Sequence, residues 1–158
     1  MADEQELDKA KLYDNETQKI EIDLEKEVNY WNNLVKTISF TLKGDVKKLV
    51  EVQADIISYQ QIVLEQVRKY SLILYKNMPS IKQAKKKRFE FYSTKYQIKV
   101  TSGSDKNGLI EADIAKFQYR IDLLDNHIKF LRDTSSNFIT MNYAVKNRIQ
   151  LMDILGTN

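Results

Sequence analysis

The stretch 110-IEADIAKFQYRIDLLDNHIKFL-131 decides how the rest of the chain is read. Ile110, Ile114, Phe117, Ile121, Leu124, Ile128 and Leu131 recur in alternating steps of four and three, the a/d pattern of a helix that buries one stripe. The register continues through Ser135, Phe138, Asn142, Val145, Ile149 and Met152, with two polar residues interrupting it. Leu123, His127 and Phe130 add a flank that lets this region meet more than one neighbour. The segment 133-DTSSN-137 holds weak helix formers. The spacing therefore predicts either one helix over about residues 109–155 or a pair hinged near 133–136.

Working outward, Leu49, Val52, Ile56, Tyr59, Val63, Val67, Tyr70 and Leu74 form a second series spaced three or four apart, with Asp45 placed to cap a helix starting at Val46. Pro79 lacks a backbone N–H and disfavours helical geometry at Met78, so that helix is expected to stop or kink at Asn77–Pro79. Pro79 then suits the first turn of another helix carrying Ile81, Phe89, Tyr92 and Tyr96. The alternating 97-QIKVT-101 reads as a short strand, and 101-TSGSDKNG-108 as a loop. Ile20, Leu24, Glu27, Tyr30 or Trp31, Leu34, Ile38 and Leu42 have helical spacing but many charges among them, while the first 15 or so residues have little to bury. Residues 1–44 are thus expected to form an acidic extension, partly disordered or helical, ahead of a helical domain over 45–158.

Composition supports an all-α, elongated helical bundle. Four Gly and one Pro in 158 residues leave little punctuation for a barrel or sandwich. The absence of Cys removes disulfides, thiolate nucleophiles and Cys-based zinc sites, and a single His argues against a metal centre or a His-based triad. No metal or cofactor is expected. No apolar run reaches the roughly 18–20 residues of a membrane span, and the acidic start is no signal peptide, so a soluble intracellular protein with no membrane association is expected.

The net charge of +3 conceals a strong asymmetry. Residues 1–55 hold 8 basic and 13 acidic side chains, residues 56–99 hold 10 and 2, and residues 100–158 hold 7 of each. A segment at +8 implies an anionic partner, most often nucleic acid or a membrane surface. Its centre is Lys82, Lys85, Lys86, Lys87 and Arg88, running into Phe89, Phe91 and Tyr92, with Lys95 and Tyr96 beyond. Cations that track a phosphate backbone, with aromatics on which bases stack, are what sequence-tolerant single-strand binding requires. Lys82, Lys85, Lys86, Lys87, Arg88 and Lys95 are the candidate nucleic-acid contacts, and Phe91 and Tyr96 the candidate stacking rings. Phe89 and Tyr92 are assigned to the core from their spacing to Ile81. The competing readings are a solvated cationic face and, from KKKR, a nuclear import signal. Asn142 in the apolar register would cost stability and fits a residue that fixes the register in oligomer assembly. No acid, base and nucleophile set converges, so an enzyme is not expected.

Two stretches taken together, 85-KKKRFEFYSTK-95 and 112-ADIAKFQYRIDLLDNHIKFLRDTSSNFITMNYAVKNRIQLMDI-154, resemble the UvsY-type recombination mediator family of T4-like phages. The family motif is a basic run closing on an aromatic-acidic-Tyr-Tyr-Ser-Gly-Lys type segment, followed by a variable loop and a heptad-patterned helix. The resemblance covers roughly residues 45–155; Thr94 stands where Gly is usual, and Phe91 where Tyr is common. It implies a non-enzymatic helical protein that forms a ring-like homo-oligomer, heptameric in the family's type member. Such a protein binds single-stranded DNA, destabilises single-strand-binding protein on it and helps load a recombinase. The resemblance also implies DNA contacts at Lys86 and Arg88, and subunit assembly through Phe138, Met141, Val145, Ile149 and Met152. The implied location is the cytoplasm of an infected host cell. The other class left open is a coiled-coil scaffold whose basic middle contacts an acidic partner or a membrane surface.

Overall fold

The structure, a computed structural model, describes residues 2–42, 44–94 and 102–156, with side chains from residue 15 onward. Three helices account for nearly all of it: α1 (Ala2–Thr41), α2 (Val46–Thr94) and α3 (Gly103–Leu155), with no strand among the described residues. The fold is all-α. The strand expected at 97–101, together with Lys95 and Tyr96, lies outside the described residues.

Each boundary has a local cause. Asp45 caps α2, its carboxylate accepting the Lys48 amide at 2.9 Å while its carbonyl accepts that of Leu49 at 2.9 Å. Ser102 opens α3 in the same manner, its Oγ accepting the Asp105 amide at 3.4 Å. This corrects the expected loop: residues 103–108 are the first turns of α3, with Gly103 and Gly108 inside the helix. α3 ends at Gly156, whose φ of 63° is the left-handed geometry that only Gly adopts without strain.

Pro79 does not stop α2 either; the helix runs through it to Thr94. The missing N–H belongs to the bond that the Tyr75 carbonyl would accept, and both residues lie on the solvent side. Water can solvate the freed carbonyl, which makes an interior proline tolerable there. The alternatives for the C-terminal region resolve into one helix, continuous through 133–136. Thr134 and Ser135 are buried on its stripe, and Thr134 Oγ1 donates back to the Phe130 carbonyl at 2.9 Å.

The chain divides into two compact units. One comprises residues up to Val67 together with Lys129 onward, a bundle of α1, the first part of α2 and the last part of α3. Its centre is three rings from three helices: Trp31, Tyr59 and Phe138, with centroids 6.0 to 6.4 Å apart. Trp31 donates from Nε1 to Gln66 Oε1 at 2.9 Å, and Gln66 in turn donates to Glu27. Leu24, Trp31 and Ile38, one heptad apart, bring this part of α1 into the core. Asn142 bonds Gln53 of the same chain at 2.9 Å, so the polar residue in the register pairs α3 with α2.

The second unit, Arg68–Ile128, pairs the remainder of α2 with the first half of α3. The two segments run antiparallel: Tyr70 meets His127 edge-on at 4.9 Å, and Tyr92 meets Asp113. Ile110, Ile114, Ile121, Leu124 and Ile128 are buried as their spacing predicts, while Phe117 is 47% exposed.

Candidate nucleic-acid interface

The basic run lies wholly on the second unit, on α2. At 3.6 residues per turn, Lys82, Lys86, Phe89 and Ser93 fall in one row along the helix. Lys85 stands between that row and α3, and Lys87 points to the other side of the helix. All five cations from Lys82 to Arg88 are exposed. Among the described residues, none of Lys82, Lys85, Lys86 and Lys87 forms an ion pair or hydrogen bond. Like charges this close repel, and none of the four is held in an ion pair, so the face favours an anion.

Arg88 differs. Its Nε lies 3.4 Å from Asp113 Oδ2, and the same carboxylate oxygen accepts the Tyr92 hydroxyl at 2.8 Å. The Arg88 side chain is half exposed, so the pair contributes only about 0.2–1 kcal/mol. That is weak enough for a polyanion to compete for the guanidinium.

Two adjoining grooves flank the lysine row. Lys85, Lys86 and Phe89 of α2 face Asn107, Ile110 and Glu111 of α3 around about 460 Å³. Lys82 and Lys85 also line a groove of about 410 Å³ with Leu74, Met78 and Ile81, opposite Gln118, Asp122 and Asp125. Lys85 lines both, so the cations of the two grooves, Lys82, Lys85 and Lys86, all stand on the α2 wall while the α3 wall carries Glu111, Asp122 and Asp125. An extended polyanion is therefore steered onto the α2 side.

One aromatic assignment is corrected. Phe89, expected in the core, is 51% exposed, with Lys106 Nζ 5.2 Å from its ring centroid. Lys106 also donates to Ser93 Oγ at 3.2 Å. Phe91, expected as a stacking platform, is half-buried with its ring edge-on to Tyr92 at 5.2 Å. Tyr92 is half-buried and held by Asp113. Phe89 is seven residues beyond Lys82 and three beyond Lys86, the signal that places it in the cationic row. Lys106 was missed because its segment reads as a loop.

The residues expected at subunit contacts have mixed positions. Phe138 and Val145 are completely buried within their own unit and present no surface. Met141, Ile149 and Met152 are half-buried. The exposed apolar side chains of this segment are Ile139, Tyr143, Leu151, Ile154 and Leu155. Among the described residues there is no cluster of metal-ligating side chains, and no helix is long and apolar enough to cross a membrane. No family model, curated protein or solved structure matches the chain.

Proposed function

We propose that the protein is a recombination mediator: it binds single-stranded DNA along the basic face of α2 and helps load a recombinase onto DNA covered by single-strand-binding protein. The observation that carries the DNA-binding part is the run of exposed lysines at 82 and 85–87, free of partners among the described residues, beside an exposed aromatic ring. This is the chemistry of a sequence-tolerant strand binder, in which cations follow phosphates and rings take bases. The mediator part is supported by the resemblance of 85-KKKRFEFYSTK-95 and the heptad helix to UvsY-type proteins. Ring assembly belongs to the same proposal; repeating a modest basic site around a ring converts weak contacts into avidity.

The test has two steps. Anisotropy of a labelled single-stranded oligonucleotide at low salt should rise on adding the protein. ATP hydrolysis by a recombinase on DNA precoated with single-strand-binding protein should then recover from inhibition when the protein is present. Absence of oligonucleotide binding at low salt would overturn the reading and leave a scaffold whose basic face meets an acidic protein or membrane. Binding without recovery of the recombinase would reduce the protein to a strand binder.

A further inference from the structure

We propose that the groove formed by Lys85, Lys86, Phe89, Asn107, Ile110 and Glu111 is a subsite for one nucleotide of the bound strand, with its base stacked on Phe89 and its phosphate against Lys85 and Lys86. The proposal rests on the single-strand reading and adds the residue that grips a base.

A half-exposed Phe on a helix surface is unremarkable alone. Its setting gives it meaning. The ring stands in the lysine row and borders a groove of about 460 Å³, within the roughly 300–1,000 Å³ range of small-molecule sites. Lys106 reaches across from α3 to sit over the ring, so one face of the π-system already holds a cation, the partner that a stacked base would displace. A base offers a larger flat surface for that face, and its phosphate offers the Lys106 ammonium a better counter-charge. Lys106, bonded to Ser93, is close enough to shift from ring to phosphate without leaving the site.

The opposite wall sets the orientation. Glu111 repels phosphate, which keeps the backbone on the Lys85–Lys86 side, and the Ile110 side chain continues the apolar surface beneath the base. Asn107 supplies an amide that can donate to or accept from a base edge. Phe91 and Tyr92 are half-buried and meet edge-on, and neither borders this groove.

The test uses the full chain, a mixed-sequence single-stranded oligonucleotide and the same oligonucleotide carrying 2-aminopurine, whose emission falls on stacking. Phe89→Leu keeps an apolar side chain at a half-exposed position and removes the ring; unchanged helical circular dichroism and an unchanged thermal unfolding profile check that the variant folds. Phe89→Leu is expected to weaken binding about tenfold, with the slope of log affinity against log salt unaltered and the 2-aminopurine quench lost. Phe89→Trp should keep both affinity and quench. Lys106→Ala should lower the salt slope by about 0.7, the contribution of one phosphate contact. Wild-type affinity and quench in Phe89→Leu would overturn the subsite while leaving strand binding intact. If the wild-type protein binds no oligonucleotide, the parent reading fails with it.

Discussion

Replacing Phe138 by Ala probes the packing centre more sharply than any other single change. The ring is completely buried, meets Trp31 edge-on at 6.0 Å and stacks on Tyr59 at 6.2 Å, so it joins α3 to both α1 and α2. Truncation removes the transfer energy of a whole aromatic side chain and leaves a cavity that three helices cannot close together, a cost of about 3–5 kcal/mol. The two ring pairings are part of that figure and are not added to it. With a urea dependence of about 2 kcal/mol/M, the unfolding midpoint should fall by about 2 M. Trp31 is the chain's only tryptophan and is 1% exposed, so its emission reports this cluster directly and should shift to the red in the variant. The neighbouring Ile139→Ala is the control: Ile139 is 41% exposed, and its loss should cost within about 0.5 kcal/mol. A Phe138→Ala cost under about 1 kcal/mol, or an equal cost for Ile139→Ala, would refute the packing described.

Other consequences are also open to measurement. Pro79→Ala restores the amide in an exposed part of α2 and should raise stability, by up to about 3 kcal/mol; a lower thermal midpoint would contradict a continuous helix there. Asp113→Asn weakens the hold on Arg88 and should increase single-stranded DNA affinity a few-fold in a filter-binding or anisotropy assay. Unchanged affinity would mean that Arg88 does not exchange Asp113 for phosphate.

The heptad stripe was legible because burial in a helix imposes a fixed period. From Ile110 to Val145 all of the register but Phe117 and the half-buried Asn142 is buried, Ser135 included. Phe117 breaks the pattern because a/d spacing marks which residues share a face without saying how far a partner helix covers that face. Pro79 misled for a different reason: the cost of an interior proline depends on whether water reaches the freed carbonyl, which requires knowing the exposed side of α2. The loop over 101–108 is inferred from Gly and Ser content, yet Ser102 supplies a cap and the turns from Gly103 are helical.

The basic face itself was readable from charge counts, but the ring beside it was not. Phe89 lies eight residues beyond Ile81, about 80° round the helix, whereas Tyr92 lies eleven beyond and within about 20°. That difference sends Tyr92 toward α3 and Phe89 into the lysine row. Lys106 needed the pairing of α2 with α3, which local sequence does not encode.

In the proposed function α2 holds single-stranded DNA by pairing its cations with phosphates. The most direct measurement is the salt dependence of oligonucleotide affinity for the wild-type protein and for Lys86→Ala/Arg88→Ala. Each lost phosphate contact should remove about 0.7 from the slope of log affinity against log salt, about 1.4 for the pair. A steep wild-type slope that becomes shallower by that amount is the predicted result. Binding that is insensitive to salt, or a slope unchanged by the double substitution, would contradict it.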